Sequence, residues 1–190
     1  MKRFKVALFA LFGLCALSSC ALAVETEVSA VWGVPFGASF EEAHKTLTED
    51  NGLQMLFDVT ALEGRRQSLY GGSFFGRSCL VQVDFGEDGM WSFRFLFNRV
   101  EPSSQEDQAQ TVQEREAQFR QEIMGGNYVQ FSRMLINKYG LSDRDFTLPD
   151  GEGKQWLFGK RSIVLTADGR SQSGHTTVLT YLDRAIAPKD

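Results

Sequence analysis

Two histidines, one cysteine beyond the N-terminal region and a short arginine cluster are the side chains of this 190-residue sequence best equipped for chemistry. His44 follows Phe40 and Ala43 and precedes Leu47 at i, i+3, i+4 and i+7, so it shares the apolar stripe of a helix and reads as a packed histidine, not a ligand. His175 follows Gly174 where a loop gives way to a strand. Cys79 and His175 would make a thiol nucleophile and its base if the fold brought them together. Against this, Cys79 is in phase with Val81 and Val83 on the inward side of a strand, where burial raises a thiol pKa and silences it. A cysteine hydrolase is therefore the remote alternative. Gly71, Gly72 and Gly76 lack the following helix and lysine of a phosphate loop, and a strand bend accounts for the pair. The sequence holds no His-Glu-x-x-His and no Cys-x-x-Cys, so no metal and no cofactor is expected. Arg65 and Arg66 sit in a predicted turn and read as solvated, with Arg77 nearby.

The elements that would position these residues are marked locally. Ser39 followed by Glu42 is a capping box, and Asp50-Asn51-Gly52 is the matching helix stop. Cys79, Val81, Val83 and Phe85 alternate with Leu80, Gln82 and Asp84; after Gly86-Glu87-Asp88-Gly89, Trp91, Phe93, Phe95 and Phe97 alternate again. That predicts a hairpin with one aromatic face. With an earlier strand over Leu53 to Leu62, the first half reads as a helix and a three-stranded meander. Trp91, Phe93, Phe95 and Phe97 would line an apolar pocket if that face were incompletely covered, which makes a small-molecule carrier the second functional reading.

Residues 101–126 are strongly polar, with Ala109, Val112, Phe119 and Ile123 at heptad-like spacing, and read as a helical linker lying on the domain or docking a partner. Tyr128, Phe131 and Leu135 begin a second helix that ends at Gly140. From this helix onward the chain matches its first half. Leu47 to Leu53 aligns with Leu135 to Leu141, Phe74 to Val83 with Leu157 to Ala167, and Asp88-Gly89 with Asp168-Gly169. The expectation is an α+β fold: two helix-plus-antiparallel-meander units, 24–100 and 127–190, forming a pseudo-repeat with helices on one face of antiparallel sheet.

The N-terminus sets the compartment. Lys2, Arg3 and Lys5 precede an unbroken apolar run from Val6 to Leu17, the length of a secretory core and short of a bilayer span. Residues 1–23 thus read as a signal peptide, with an uncleaved anchor as the lesser option. Leu17-Ser18-Ser19-Cys20 resembles a bacterial lipobox, which would make Cys20 the lipidated first residue; Ala21-Leu22-Ala23 offers ordinary cleavage after Ala23 instead. With Cys15 and Cys20 in this leader, Cys79 is left alone and the mature domain forms no internal disulfide. Stability must come from a core, for which 43% hydrophobic residues suffice. Without the leader, 17 basic side chains face 24 acidic ones, a net charge of −7 that disfavours nucleic acid as a partner.

Trp32 to Leu47 (WGVPFGASFEEAHKTL) resembles a motif of small exported bacterial proteins in which an aromatic and a Phe-Gly pair lead into a capped helix and then a meander. The same plan is similar to outer-membrane lipoproteins of the SmpA/OmlA type and to the β-lactamase-inhibitor-protein fold. The resemblance implies scaffolding, assembly or inhibition by surface contact with another envelope protein, without catalysis. The sequence-level expectation is a non-enzymatic exported protein, on the periplasmic side of the outer membrane as a lipoprotein or soluble in the periplasm.

Overall fold

The computed structural model describes residues 26–60, 65–99, 126–168 and 175–188. Cys20, the leader and the polar linker lie outside the described residues. The described chain opens with a two-stranded hairpin, β1 (Ala30–Val31) and β2 (Val34–Pro35), whose central pair Trp32 and Gly33 has φ of 52° and 80°. Left-handed backbone at both positions is the turn that matches strand twist, and glycine supplies half of it. The turn lays the Trp32 ring against Phe74, Phe93 and Phe95, at centroid distances of 5.5, 6.3 and 5.0 Å.

Helix α1 (Phe40–Lys45) starts as its sequence dictates. The Ser39 hydroxyl accepts from the Glu42 amide at 3.3 Å, and the Glu42 carboxylate accepts from the Ser39 amide at 3.0 Å. These reciprocal bonds satisfy two amides that the first turn would leave without partners. The helix runs into a π turn, Thr46–Asp50, closed by Asn51, whose Nδ2 donates to the carbonyls of Thr46 and Trp32.

Four strands come next: β3 (Gln54–Thr60), β4 (Arg66–Phe74), β5 (Arg77–Gly86) and β6 (Gly89–Arg99). Helix α2 (Asn127–Tyr139) precedes β7 (Arg144–Leu148), β8 (Gly151–Phe158), β9 (Arg161–Asp168) and β10 (His175–Asp183). All eight form one antiparallel sheet in the order β3-β4-β5-β6-β10-β9-β8-β7. The last strand of each run, β6 and β10, meet at the centre with Phe95 opposite Leu179 and Phe93 opposite Tyr181. The fold is mostly antiparallel sheet with two short helices, an α+β class.

Each meander thus has four strands where three were expected in the first half. The extra strand there is β4, whose sequence RQSLYGGSF hides its period behind polar residues and a glycine pair. The pair is required by close approach: a Cβ on Gly72 would lie 2.1 Å from the Leu53 side chain, and one on Gly71 3.2 Å from Leu56.

Alternation places Tyr70, Val81, Val83, Phe93 and Phe95 on one face, all fully buried. Phe131 of α2 meets Phe97 at 4.5 Å and Phe74 at 5.6 Å, and Phe40 of α1 meets Phe85 at 5.8 Å. Each fully buried ring of this kind contributes about 1.5–3 kcal/mol of transfer free energy. Trp91 departs from the expected phase. The β5–β6 register shifts so that Asp84 opposes Ser92 and Phe85 opposes Met90, leaving Trp91 in a bulge opposite no residue. It lies beside Gly86, out of step with Phe93.

Candidate functional site

The richest cluster of polar and titratable side chains lies where α1 crosses the start of β4. Arg66 donates from Nε to Asp58 Oδ1 at 3.0 Å and from Nη2 to Oδ2 at 2.7 Å, a forked pairing of guanidinium and carboxylate across the β3–β4 ladder. The Ser68 hydroxyl donates to Asp58 Oδ1 at 2.8 Å. Above this, the Arg66 guanidinium carbon lies 3.1 Å from the centroid of the Phe40 ring, and the His44 ring is nearly parallel to that of Phe40 at 5.4 Å. His44 Nδ1 in turn lies 3.2 Å from the Tyr70 hydroxyl.

Burial pushes the Tyr70 phenol up to about 12, so it stays protonated through the physiological range. The Arg66 hydrogen bonds hold the Asp58 carboxyl below its ordinary value, helped by Ser68. The arrangement is a latch tying the helix to the β3–β4 edge, with its charges already matched. Asp58→Asn should therefore cost about 1–2 kcal/mol at neutral pH, for a charged hydrogen-bonded pair that is partly solvated. A carboxyl whose folded pKa is depressed contributes stability above its unfolded pKa of about 3.9 and loses it as pH falls toward the folded value. In urea melts the gap between wild type and variant should be full at pH 7 and narrow as the pH falls below about 3.9 toward the folded value; a gap that does not change with pH would remove Asp58 ionisation from the account.

A second polar cluster occupies the opposite face of the sheet. Asp84, 5% exposed, accepts from Gln67 at 2.8 Å and Gln82 at 3.0 Å, and pairs with Arg94 at 3.4 Å. Its charge is met by neighbours on three strands, a crosslink of the sheet surface with no acid or base left over.

The fold separates the candidates named from sequence. Cys79 is 7% exposed and its thiol is pushed up to about 11 by burial. It stands on β5 and His175 on β10, with β6 between them, so two strand spacings of about 10 Å in total keep the backbones apart. His44 is half-buried and packed, as its helix phase suggested. Arg66 corrects the solvated reading: it lies in β4 and spends its charge on Asp58. Arg65 is exposed, and Arg77 donates to Gln130 of α2 at 2.9 Å. Phe93, Phe95 and Phe97 are fully buried against one another and against Trp32, Phe74 and Phe131, and Trp91 stands apart from them. Among the described residues no group of three or more metal-ligating side chains converges, and no helix is long and apolar enough to cross a membrane.

No family model, curated protein or solved structure matches this chain. Its surface must therefore be read on its own geometry, and there the sheet's edge stands out from the latch and the Asp84 crosslink. Strand β3, at that edge, exposes Met55, Leu56, Phe57 and Val59 by 41, 51, 57 and 39%. Sequence reasoning placed a strand there but assigned it no role. Part of the signal was present, a run of apolar residues with a single charge, Asp58; that the strand has one neighbour among the described residues is seen only in the fold.

Proposed function

We propose that this is a non-enzymatic exported envelope protein that works by protein–protein contact, with β3 as its contact surface. The observation that carries the reading is the contrast between two apolar sets. Phe93, Phe95 and Phe97 of β6 are consumed by Trp32, Phe74 and Phe131, whereas four apolar side chains of β3 are exposed on a strand whose outer edge has no strand beside it among the described residues. Filled interiors serve stability, and exposed apolar edges serve association.

We also infer that the chain is two copies of one helix-plus-meander module with both helices against the aromatic side of the sheet. The order of elements supports this, since a helix and four meandering strands occur twice and meet through their last strands. So does the correspondence of turns. Gly76 and Gly159, aligned in sequence, both occupy hairpin tips with φ of 74° and 61°, and Gly52 and Gly140, aligned likewise, follow the two helices with φ of 66° and 84°. Export, with Cys20 as the lipid anchor or cleavage after Ala23, follows from the leader and belongs to the same proposal.

The test is a pull-down from envelope extracts with the wild-type chain and with Leu56→Lys and Phe57→Lys. Both positions are exposed, so the variants should melt like wild type while losing the captured protein. Capture that survives both substitutions would move the contact surface off β3.

A further inference from the structure

We propose that the seam between β6 and β10 is a self-sufficient interface between two halves of this chain, so that residues 26–99 and 126–188 stay paired when the segment joining them is cut. The proposal concerns the middle of the sheet and goes beyond the reading of β3, on which it does not rest. Among the described residues every other pairing in this sheet lies within one half, and β6 against β10 is the ladder that crosses. It is built as a twofold contact. Arg77 and Arg161 open β5 and β9 just after two-residue turns, and Val81 and Leu165 stand at the same step along those strands. Their partners are Phe95 on β6 and Leu179 on β10, and these two oppose each other. One axis between Phe95 and Leu179 thus carries Val81 onto Leu165 and Phe95 onto Leu179, the relation of a self-complementary interface.

Each half also lends a part to the other. Phe131 of α2, with no solvent exposure, meets Phe97 at 4.5 Å and Phe74 at 5.6 Å, and Gln130 accepts from Arg77 at 2.9 Å. In return the N-terminal segment reaches the second half. Arg161 Nη1 donates to the Val28 carbonyl at 3.0 Å and to Glu27 at 3.4 Å, and its guanidinium carbon lies 5.2 Å from the centroid of the Phe36 ring. Asp183, on the same half as Arg161, accepts from its Nε at 2.8 Å and fixes it there. Phe93, Phe95, Phe97 and Leu179 are completely buried, so the seam has the apolar centre of an obligate interface, a core divided between two bodies. These contacts name the partner. A second first half would bring another Phe95 where Leu179 stands, and would carry neither Gln130 for Arg77 nor Arg161 for Val28. The joining segment adds proximity, an effective concentration of millimolar order, while the seam supplies the affinity.

The test uses the full chain in non-ionic detergent, with a site for a sequence-specific protease inserted between Gln113 and Glu114. After cutting, the two pieces should sediment together in equal amounts and keep the circular dichroism of the intact protein. The thermal midpoint, independent of concentration before the cut, should fall on dilution after it, because pairing has become bimolecular. Phe131→Ala should weaken the cut pair by about tenfold or more, whereas Phe57→Ala should leave it unchanged. A second measurement needs no substitution. Cut chain tagged on its first piece, mixed in urea with untagged cut chain and refolded, should retain untagged second pieces on the tag resin. Pieces that separate on cutting overturn the proposal, as does a midpoint that ignores dilution. So does a tagged first piece that is recovered with untagged first pieces instead of second ones.

Discussion

Phe95→Ala is expected to cost about 3–5 kcal/mol, enough to leave a domain of ordinary stability marginal. Phe95 has no solvent exposure and meets five aromatic rings: Phe74 at 4.3 Å, Trp32 at 5.0 Å, Phe93 at 5.1 Å, Tyr181 at 6.2 Å and Phe97 at 6.4 Å. Removing the ring deletes contacts on both sides of the β6–β10 seam and leaves a void whose walls belong to different elements, so it cannot collapse cheaply. Phe57→Ala is the paired control, since a ring 57% exposed should change stability by no more than about 0.5 kcal/mol. Denaturant midpoints of the two variants decide between a packed interior and a groove. If Phe95→Ala costs as little as Phe57→Ala, the aromatic face is open, and the carrier reading of Phe93, Phe95 and Phe97 regains its footing.

That pair of residues also shows how much of the molecule could be read in advance. Strand period assigned Phe93, Phe95 and Phe97 to one face, and the face is where it was expected. The α1 cap was equally legible, because Ser39 and Glu42 act over four residues and need nothing distant. Trp91 was assigned to the same face because the period was extended one step too far; a bulge is created by pairing with the neighbouring strand, and no property of Trp91 announces it. Strands β4 and β8 escaped for a related reason. Their glycines answer to partners far along the chain: Gly72 makes room for Leu53, and Gly153 for the Phe146 ring, which a Cβ would meet at 2.2 Å. Read locally, such glycines look like breakers. The latch was hidden by the same gap, since Asp58, Arg66 and Ser68 become neighbours only once β4 is known to lie against β3. The edge position of β3, on which the proposed function depends, is a property of strand order and has no local sequence signature at all.

Gly89→Ala should be the most damaging single-methyl change among the described glycines of the first meander, at more than about 3 kcal/mol. Gly89 opens β6 with φ of +91°, a conformation that an alanine side chain resists. Its position is also where the α1 entry loop docks on the sheet: the Gly37 amide donates to the Met90 carbonyl at 2.9 Å, and the Met90 amide donates to the Ala38 carbonyl at 2.8 Å. A Cβ at Gly89 would stand 2.3 Å from the Gly37 carbonyl oxygen and 2.7 Å from that of Ala38, and both are backbone atoms that cannot swing aside. The methyl must break the docking or lift the loop, and with it the Ser39 cap and the Phe40 end of the latch. Gly76→Ala separates the two costs. Gly76 also has positive φ, +74°, but nothing lies within 4 Å of its Cβ position, so only conformational strain of about 1 kcal/mol applies. A thermal melt in which Gly89→Ala falls far below Gly76→Ala places the excess in the Gly37–Gly89 contact. Equal shifts would mean that the Phe-Gly pair ahead of the helix holds α1 to the sheet no more firmly than a free hairpin tip holds itself.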